Sequence, residues 1–186
     1  NAALCVYEVI MIDARLKQYW LDELKASAHF LEGLYRSGEW SERLEYEVEK
    51  SIFVGFYAIR KLQESGHLDQ RVSSLNWTLT AYPSCEEAKS EKWIRNYNHS
   101  KGFAKLFSLK KMCHQFVHSV HFSPFVPDES FCVGFYFVSD YDSKKELYYI
   151  QLVNVLNVFL SVASGKNVKL KIDHSENSLS VNLANT

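Results

Sequence analysis

Proline and glycine are scarce in this chain, which has three and seven of them among 186 residues. Because these residues interrupt helices and strands, their scarcity predicts long regular elements with few breaks. Long apolar runs are missing as well: the longest, residues 147–163, contains polar side chains and is short for a membrane span. We therefore expect a soluble, cytoplasmic protein that does not bind membranes.

The chain has no large excess of charge of either sign. It contains 21 Lys and Arg and 22 Asp and Glu residues, which gives a net charge of -1. A binding site for nucleic acid would therefore need a local cluster of cations. With 47% hydrophobic and 15% aromatic residues, the composition excludes a disordered tail. It predicts a single domain, residues 1–186, whose core is built on large rings.

The sequence also lacks several signatures of enzymes and metal proteins. No two of the four cysteines are close enough for a C-x-x-C motif. We interpret the cysteines as free thiols, as expected in a reducing cytoplasm. The motifs of P-loop NTPases, dinucleotide-binding enzymes, H-E-x-x-H zinc proteases and α/β-hydrolases are absent. These absences imply that the protein uses no cofactor.

Apolar spacing predicts two long helices at the start of the chain, residues 2–36 and 42–65. Ser41 can cap the second helix, and Gly66 suits its end. The short link between the two helices predicts an antiparallel pair.

The middle of the chain predicts a short strand over residues 75–82 and a third core helix over residues 103–121. Pro124 and Pro127 would end that helix. Residues 86–98 are rich in charge and predict either a short surface helix or a loop.

The last third changes to the spacing of strands. It predicts a strand at residues 131–138, a turn at 140–143 and a second strand at 146–151. A helix at residues 153–164 and a terminal hairpin at residues 168–183 follow. The whole pattern predicts an α+β fold. We expect residues 1–122 to form mainly an antiparallel helical bundle, followed by the hairpin, helix and hairpin of residues 123–186.

Three of the seven histidines lie close together: His114, His118 and His121. On the predicted helix they share one stripe, with Lys111 one turn before His114. Imidazole exchanges protons near neutral pH, and a nearby ammonium can hold a phosphate or stabilise a developing negative charge. The stripe therefore indicates acid–base chemistry on a phosphodiester. Two alternatives remain: histidines one turn apart can chelate a metal ion, or they can be structural residues of a half-buried helix.

Two segments, Ile52–Leu62 and His114–Ser119, resemble the HEPN superfamily of bacterial helical-bundle proteins. They resemble more closely a group of uncharacterised bacterial proteins in which such a helix pair precedes a hairpin and a helix. The resemblance covers roughly residues 45–160. It implies a metal-independent ribonuclease of a toxin–antitoxin or phage-defence system that acts as a homodimer. The family's motif is an Arg, four to six residues, and then a His.

The sequence departs from that motif at its first position. His118 matches the His, but Lys111 stands where the family has an Arg, with six residues between it and His118. A Lys keeps the positive charge and loses the planar fork of the guanidinium. Arg95 and His99 form a second candidate pair, with one residue too few between them.

Arg60 and Lys61 are the last candidates. They lie near the end of an apolar helix, where cations interact favourably with the helix dipole. The functional alternative is a phosphate contact beside the histidines, so that these two cations, with Arg95 and His99, would bind RNA.

Two hypotheses follow. The first is an RNA-binding protein that cleaves RNA without a metal ion, with His118 as the base, His114 as the second proton donor and Lys111 as the stabilising charge. The second is a non-catalytic module that docks a protein partner through its helices or terminal hairpin, with structural histidines.

Overall fold

The computed structural model describes residues 14–34, 40–85, 92–127, 131–173 and 178–183. The helices in these ranges are α1 (Ala14–Gly33), α2 (Glu42–Glu64), α3 (Gln70–Ser73), α4 (Leu109–Val117) and α5 (Leu152–Ser164). The strands are β1 (Asn76–Pro83), β2 (Phe103–Ser108), β3 (Ser119–Phe125), β4 (Gly134–Ser139), β5 (Glu146–Gln151), β6 (Val168–Asp173) and β7 (Ser178–Leu183). Two 3₁₀ turns, Trp93–Asn96 and His99–Lys101, precede β2. The predicted α+β class is confirmed.

The first five strands form one antiparallel sheet in the order β2-β1-β5-β4-β3, and β6 pairs with β7 in a separate hairpin. Side chains along a strand alternate between the two faces of the sheet. On one face, Phe137 of β4 stacks on Phe116 of α4. On the other face, Tyr136 packs near Tyr82 and the first 3₁₀ turn. The fold therefore has a helical side and an opposite side that the 3₁₀ turns partly cover.

The core is organised around a stack of three fully buried rings. Phe56 of α2 lies on Phe116 of α4 with ring centroids 3.9 Å apart, and Phe116 lies on Phe137 at 4.1 Å. Phe159 of α5 meets Phe56 edge to face at 5.2 Å. These contacts join the helices to the sheet: α2 packs against α4, and α1 packs against both α2 and α5.

The elements predicted from local signals are largely confirmed. Ser41 caps α2 by accepting a hydrogen bond from the backbone N–H of Leu44 at 3.2 Å, and Gly66 after its end has a φ of 72°. The predicted β5, α5 and terminal hairpin are present. Two polar side chains of α5 hold that hairpin, because Asn157 and Ser161 accept hydrogen bonds from β6 backbone N–H groups. Residues 2–13, 35–36, 86–91 and 174–177 of the predicted elements lie outside the described residues.

The predicted third helix over residues 103–121 is wrong. Those residues form β2, α4 and the start of β3, so only Leu109–Val117 is helical. Leu106 shows why the spacing misled: it continues the apolar face of the helix, yet it lies on an edge strand and is 64% exposed. Pro124 does not end a helix but lies within β3, an edge strand, where a residue without an N–H is tolerated. The expected helical bundle of residues 1–122 is thus corrected, because this part also supplies three strands of the sheet.

No helix within the described ranges combines the length and the apolar character that crossing a membrane requires.

We predict that Gly55→Ala lowers the free energy of unfolding by about 1–2 kcal/mol in urea titrations. A Cβ at Gly55 would overlap the ring of Phe159, which is fully buried and packs against Phe56. The overpacking cost of about 1–3 kcal/mol exceeds the gain of up to about 1 kcal/mol in helix propensity. The control is Gly33→Ala, where no atom lies within 4 Å of the added Cβ. Equal effects of the two substitutions would contradict the close packing of α2 on α5.

Candidate functional site

The structure brings Arg60 of α2 to the two histidines at the end of α4. An Nη atom of Arg60 lies 3.5 Å from Nε2 of His118, and the rings of His118 and His114 have centroids 4.6 Å apart. Both histidines are exposed. The site therefore combines a guanidinium with two imidazoles on an accessible surface.

The core positions each of these side chains. Arg60 lies one helical turn after Phe56, so the stacking of Phe56 on Phe116 directs it toward the end of α4. His118 is the residue at which α4 ends: its backbone N–H donates to the carbonyl of His114 at 3.1 Å, and its carbonyl accepts from the N–H of Asp140 at 3.3 Å. The backbone of His118 is thus held between α4 and the end of β4.

A buried polar cluster fixes α4 against the turn between β4 and β5. The amide of Gln115 donates to the carboxylate of Asp142 at 2.8 Å, and the hydroxyl of Tyr148 donates to the same carboxylate oxygen at 2.8 Å. Burial, with the hydrogen bond to Asp142, raises the pKa of Tyr148 far above its ordinary value. The cluster keeps the end of α4 in register with the sheet.

Two contacts hold the guanidinium of Arg60. A guanidinium can only donate hydrogen bonds, and one of its Nη atoms faces Nε2 of His118 across 3.5 Å. Arg60 also binds Oε1 of Glu64 through its Nε atom, at 2.7 Å. The carboxylate of Glu64 therefore holds one edge of the guanidinium, and one Nη atom lies near His118.

Lys111 and Lys61 make other contacts. The ammonium of Lys111 lies 4.3 Å from the centroid of the Phe107 ring, and that of Lys61 lies 5.4 Å from the centroid of Tyr57. Among the predicted cations within the described ranges, Arg60 is the one whose side chain contacts His118.

The single stripe of three histidines is wrong, because His121 lies on β3 rather than on α4. Its ring stacks on Trp93 at 4.9 Å, on the sheet face opposite to α4. His99 is on that face too, where it packs against Tyr82 at 4.8 Å and its Nε2 meets the carbonyl of Ile94. Arg95 and His99 lie in two separate 3₁₀ turns, so they share no helix face.

A cavity of about 510 Å³ adjoins the site. Arg60 and His114 form part of its wall, together with Lys110, Glu64 and residues that follow α2. Sequence reasoning missed Lys110 and Glu64. A signal for Arg60 as a central residue was present, since it continues the spacing of Ile52 and Phe56 with a charged side chain.

Metal chelation gains no support from the arrangement of side chains. Within the described parts of the chain, no three His, Cys, Asp or Glu side chains come together in a way that could hold a metal ion.

Comparison with known proteins finds no matching family model, no significant match among curated proteins and none among solved structures. Inferences about function therefore rest on the site itself.

We predict that Cys113 and Cys132 resist thiol reagents in the folded protein, whereas Cys85 reacts. Burial raises the pKa of both Cys113 and Cys132 to about 12, so the reactive thiolate is scarce at mildly alkaline pH, while Cys85 is half-buried. The measurement is reagent uptake before and after unfolding, in a Cys5→Ser background. Rapid labelling of Cys113 before unfolding would show that the floor of the cavity is open.

Proposed function

We propose that the protein is a metal-independent endoribonuclease whose active site is Arg60, His114 and His118. The observation that carries the proposal is the approach of the Arg60 guanidinium to Nε2 of His118, with His114 adjoining it. Such a group can act on the 2′-hydroxyl and the phosphate of RNA without a metal ion.

Each residue takes a role that its chemistry suits. Nε2 of His118 accepts the proton of the ribose 2′-hydroxyl, and the O2′ atom attacks the adjacent phosphorus. The bond from phosphorus to O5′ breaks, and the imidazolium of His114 donates a proton to the leaving oxygen. The products are a 2′,3′-cyclic phosphate and a 5′-hydroxyl. Arg60 stabilises the charge that develops on the phosphorane oxygens.

Arg60 replaces Lys111 as the proposed stabilising charge. Its guanidinium can form two parallel hydrogen bonds to a phosphate, which the ammonium of Lys111 cannot. The resemblance to HEPN proteins supplies the wider context of this proposal: a homodimer of a toxin–antitoxin or phage-defence system. The proposed site departs from the family's motif, because Arg60 lies on α2, 58 positions before His118, whereas the motif has only four to six residues between its Arg and its His.

We predict that His118→Ala and Arg60→Ala each lower the rate of cleavage of a single-stranded RNA by a factor on the order of 10²–10⁴. His118→Ala removes the base that accepts the proton of the 2′-hydroxyl, and Arg60→Ala removes the cation that stabilises the phosphorane. The measurement is single-turnover cleavage of a labelled RNA in excess chelator, with the cyclic phosphate identified by mass spectrometry.

Matched controls are His29→Ala, an exposed histidine on α1, and Arg43→Ala, an exposed arginine on α2 that pairs with Glu47. Both should cleave at the unaltered rate. Replacing the 2′-hydroxyl at the cleaved position with hydrogen should abolish the reaction. Cleavage that persists in His118→Ala, or that requires a divalent metal ion, would refute the assignment.

The second candidate function is a module that binds a protein partner. It is favoured by large apolar side chains that α1 and α2 expose: Leu16, Tyr19, Tyr46 and Tyr57. Two results together would support this alternative. The protein would show no ribonuclease activity, and Tyr19→Ser would abolish binding of the partner while His118→Ala would leave that binding unchanged.

A further inference from the structure

The cavity beside Arg60 and His114 has walls of two chemical kinds. Its volume of about 510 Å³ falls within the range of small-molecule sites, which is about 300–1,000 Å³. Its described lining includes Arg60, Lys110 and His114 as well as Gln63, Gln70 and Ser73. It is formed by the end of α2, the short α3 and the first turns of α4.

The wall next to the proposed active site is cationic. Arg60 and His114 belong to that site, and Lys110 adds an exposed ammonium. Across the described residues, the Lys110 side chain has no ion pair, hydrogen bond or ring contact with the protein. This wall can therefore hold a phosphate next to the reacting one, or the reacting phosphate itself.

Other residues of the lining carry neutral polar groups. The side-chain amides of Gln63 and Gln70 and the hydroxyl of Ser73 form no hydrogen bond within the described parts of the chain. Each amide offers two N–H donors and one carbonyl acceptor. Half-buried Leu68 and buried Cys113 supply apolar surface to the same lining. The cavity thus suits a flat, uncharged group with polar edges that is attached to a phosphate.

Glu64 argues against a purely anionic occupant. Its carboxylate lines the cavity and is bound to Arg60 through one oxygen. A second phosphate deep in the cavity would meet this negative charge, whereas a neutral heterocycle would not.

We infer that the cavity is a subsite for a nucleobase of single-stranded RNA, and that Gln63 and Gln70 read the edge of that base with a preference for adenine. The inference rests on the proposed ribonuclease function. A glutamine amide pairs with adenine through one donor and one acceptor at once, and single-stranded RNA exposes such base edges.

The test uses deoxyribonucleotide strands that carry one ribonucleotide, so that cleavage occurs at a single phosphate. The four bases are compared on each side of that phosphate. We expect adenine on one side to raise the cleavage rate at least about tenfold over the other bases. Gln63→Ala and Gln70→Ala should each reduce that preference, while Gln18→Ala, an exposed glutamine of α1 bonded to Asp22, should leave it unchanged.

A binding measurement separates failure of the subsite from failure of the ribonuclease. Adenosine monophosphate and inorganic phosphate are titrated into His118→Asn by calorimetry, with and without Gln63→Ala. Tighter binding of the nucleotide, reduced by Gln63→Ala, supports the subsite even if no RNA is cleaved. Cleavage without base preference, or nucleotide binding no tighter than that of phosphate, would overturn the subsite and leave the ribonuclease standing.

Discussion

Phe116 of α4 is stacked between Phe56 of α2 and Phe137 of β4, and the candidate site depends on this column of buried rings. The stack sets the spacing and direction of α2 relative to α4. Arg60 follows Phe56 by one helical turn, and His118 follows the last turn of α4, so the same contact brings the two side chains together. Rings of this size bury much apolar surface, which makes the relative position of the two helices hard to change.

The polar part of the site is built on the edge of that core. Arg60 is held by Glu64 on one side and meets His118 on the other, while the backbone of His118 is bound to both α4 and the residue after β4. The side chain of His118 remains exposed to solvent, and that of Arg60 is half-buried. A rigid backbone with accessible functional groups is the arrangement that proton transfer to a bound substrate requires, because its geometry is set before the substrate arrives.

Sequence patterns predicted the elements whose signals are local. Ser41 and Gly66 mark the ends of α2, and the helical spacing between them is unbroken. The same reasoning failed at residues 103–121, because Leu106 and Val120 extend the apolar spacing of a short helix into the strands on both sides of it. Pairing with β1 and β4 decides those strands, and such long-range partners leave little trace in local spacing.

The sequence by itself determined the chemistry available to this protein: imidazoles at His114 and His118, a cation at Arg60, and no signature of a familiar cofactor site. It also determined the α+β class, because helical and strand periodicities are both present. Only the tertiary structure decided which groups meet. It separated His121 from the other two histidines by placing it on a strand, and it joined Arg60 to His118 across 58 positions of the chain. The physical reason is that contacts between distant segments arise from packing of the whole core.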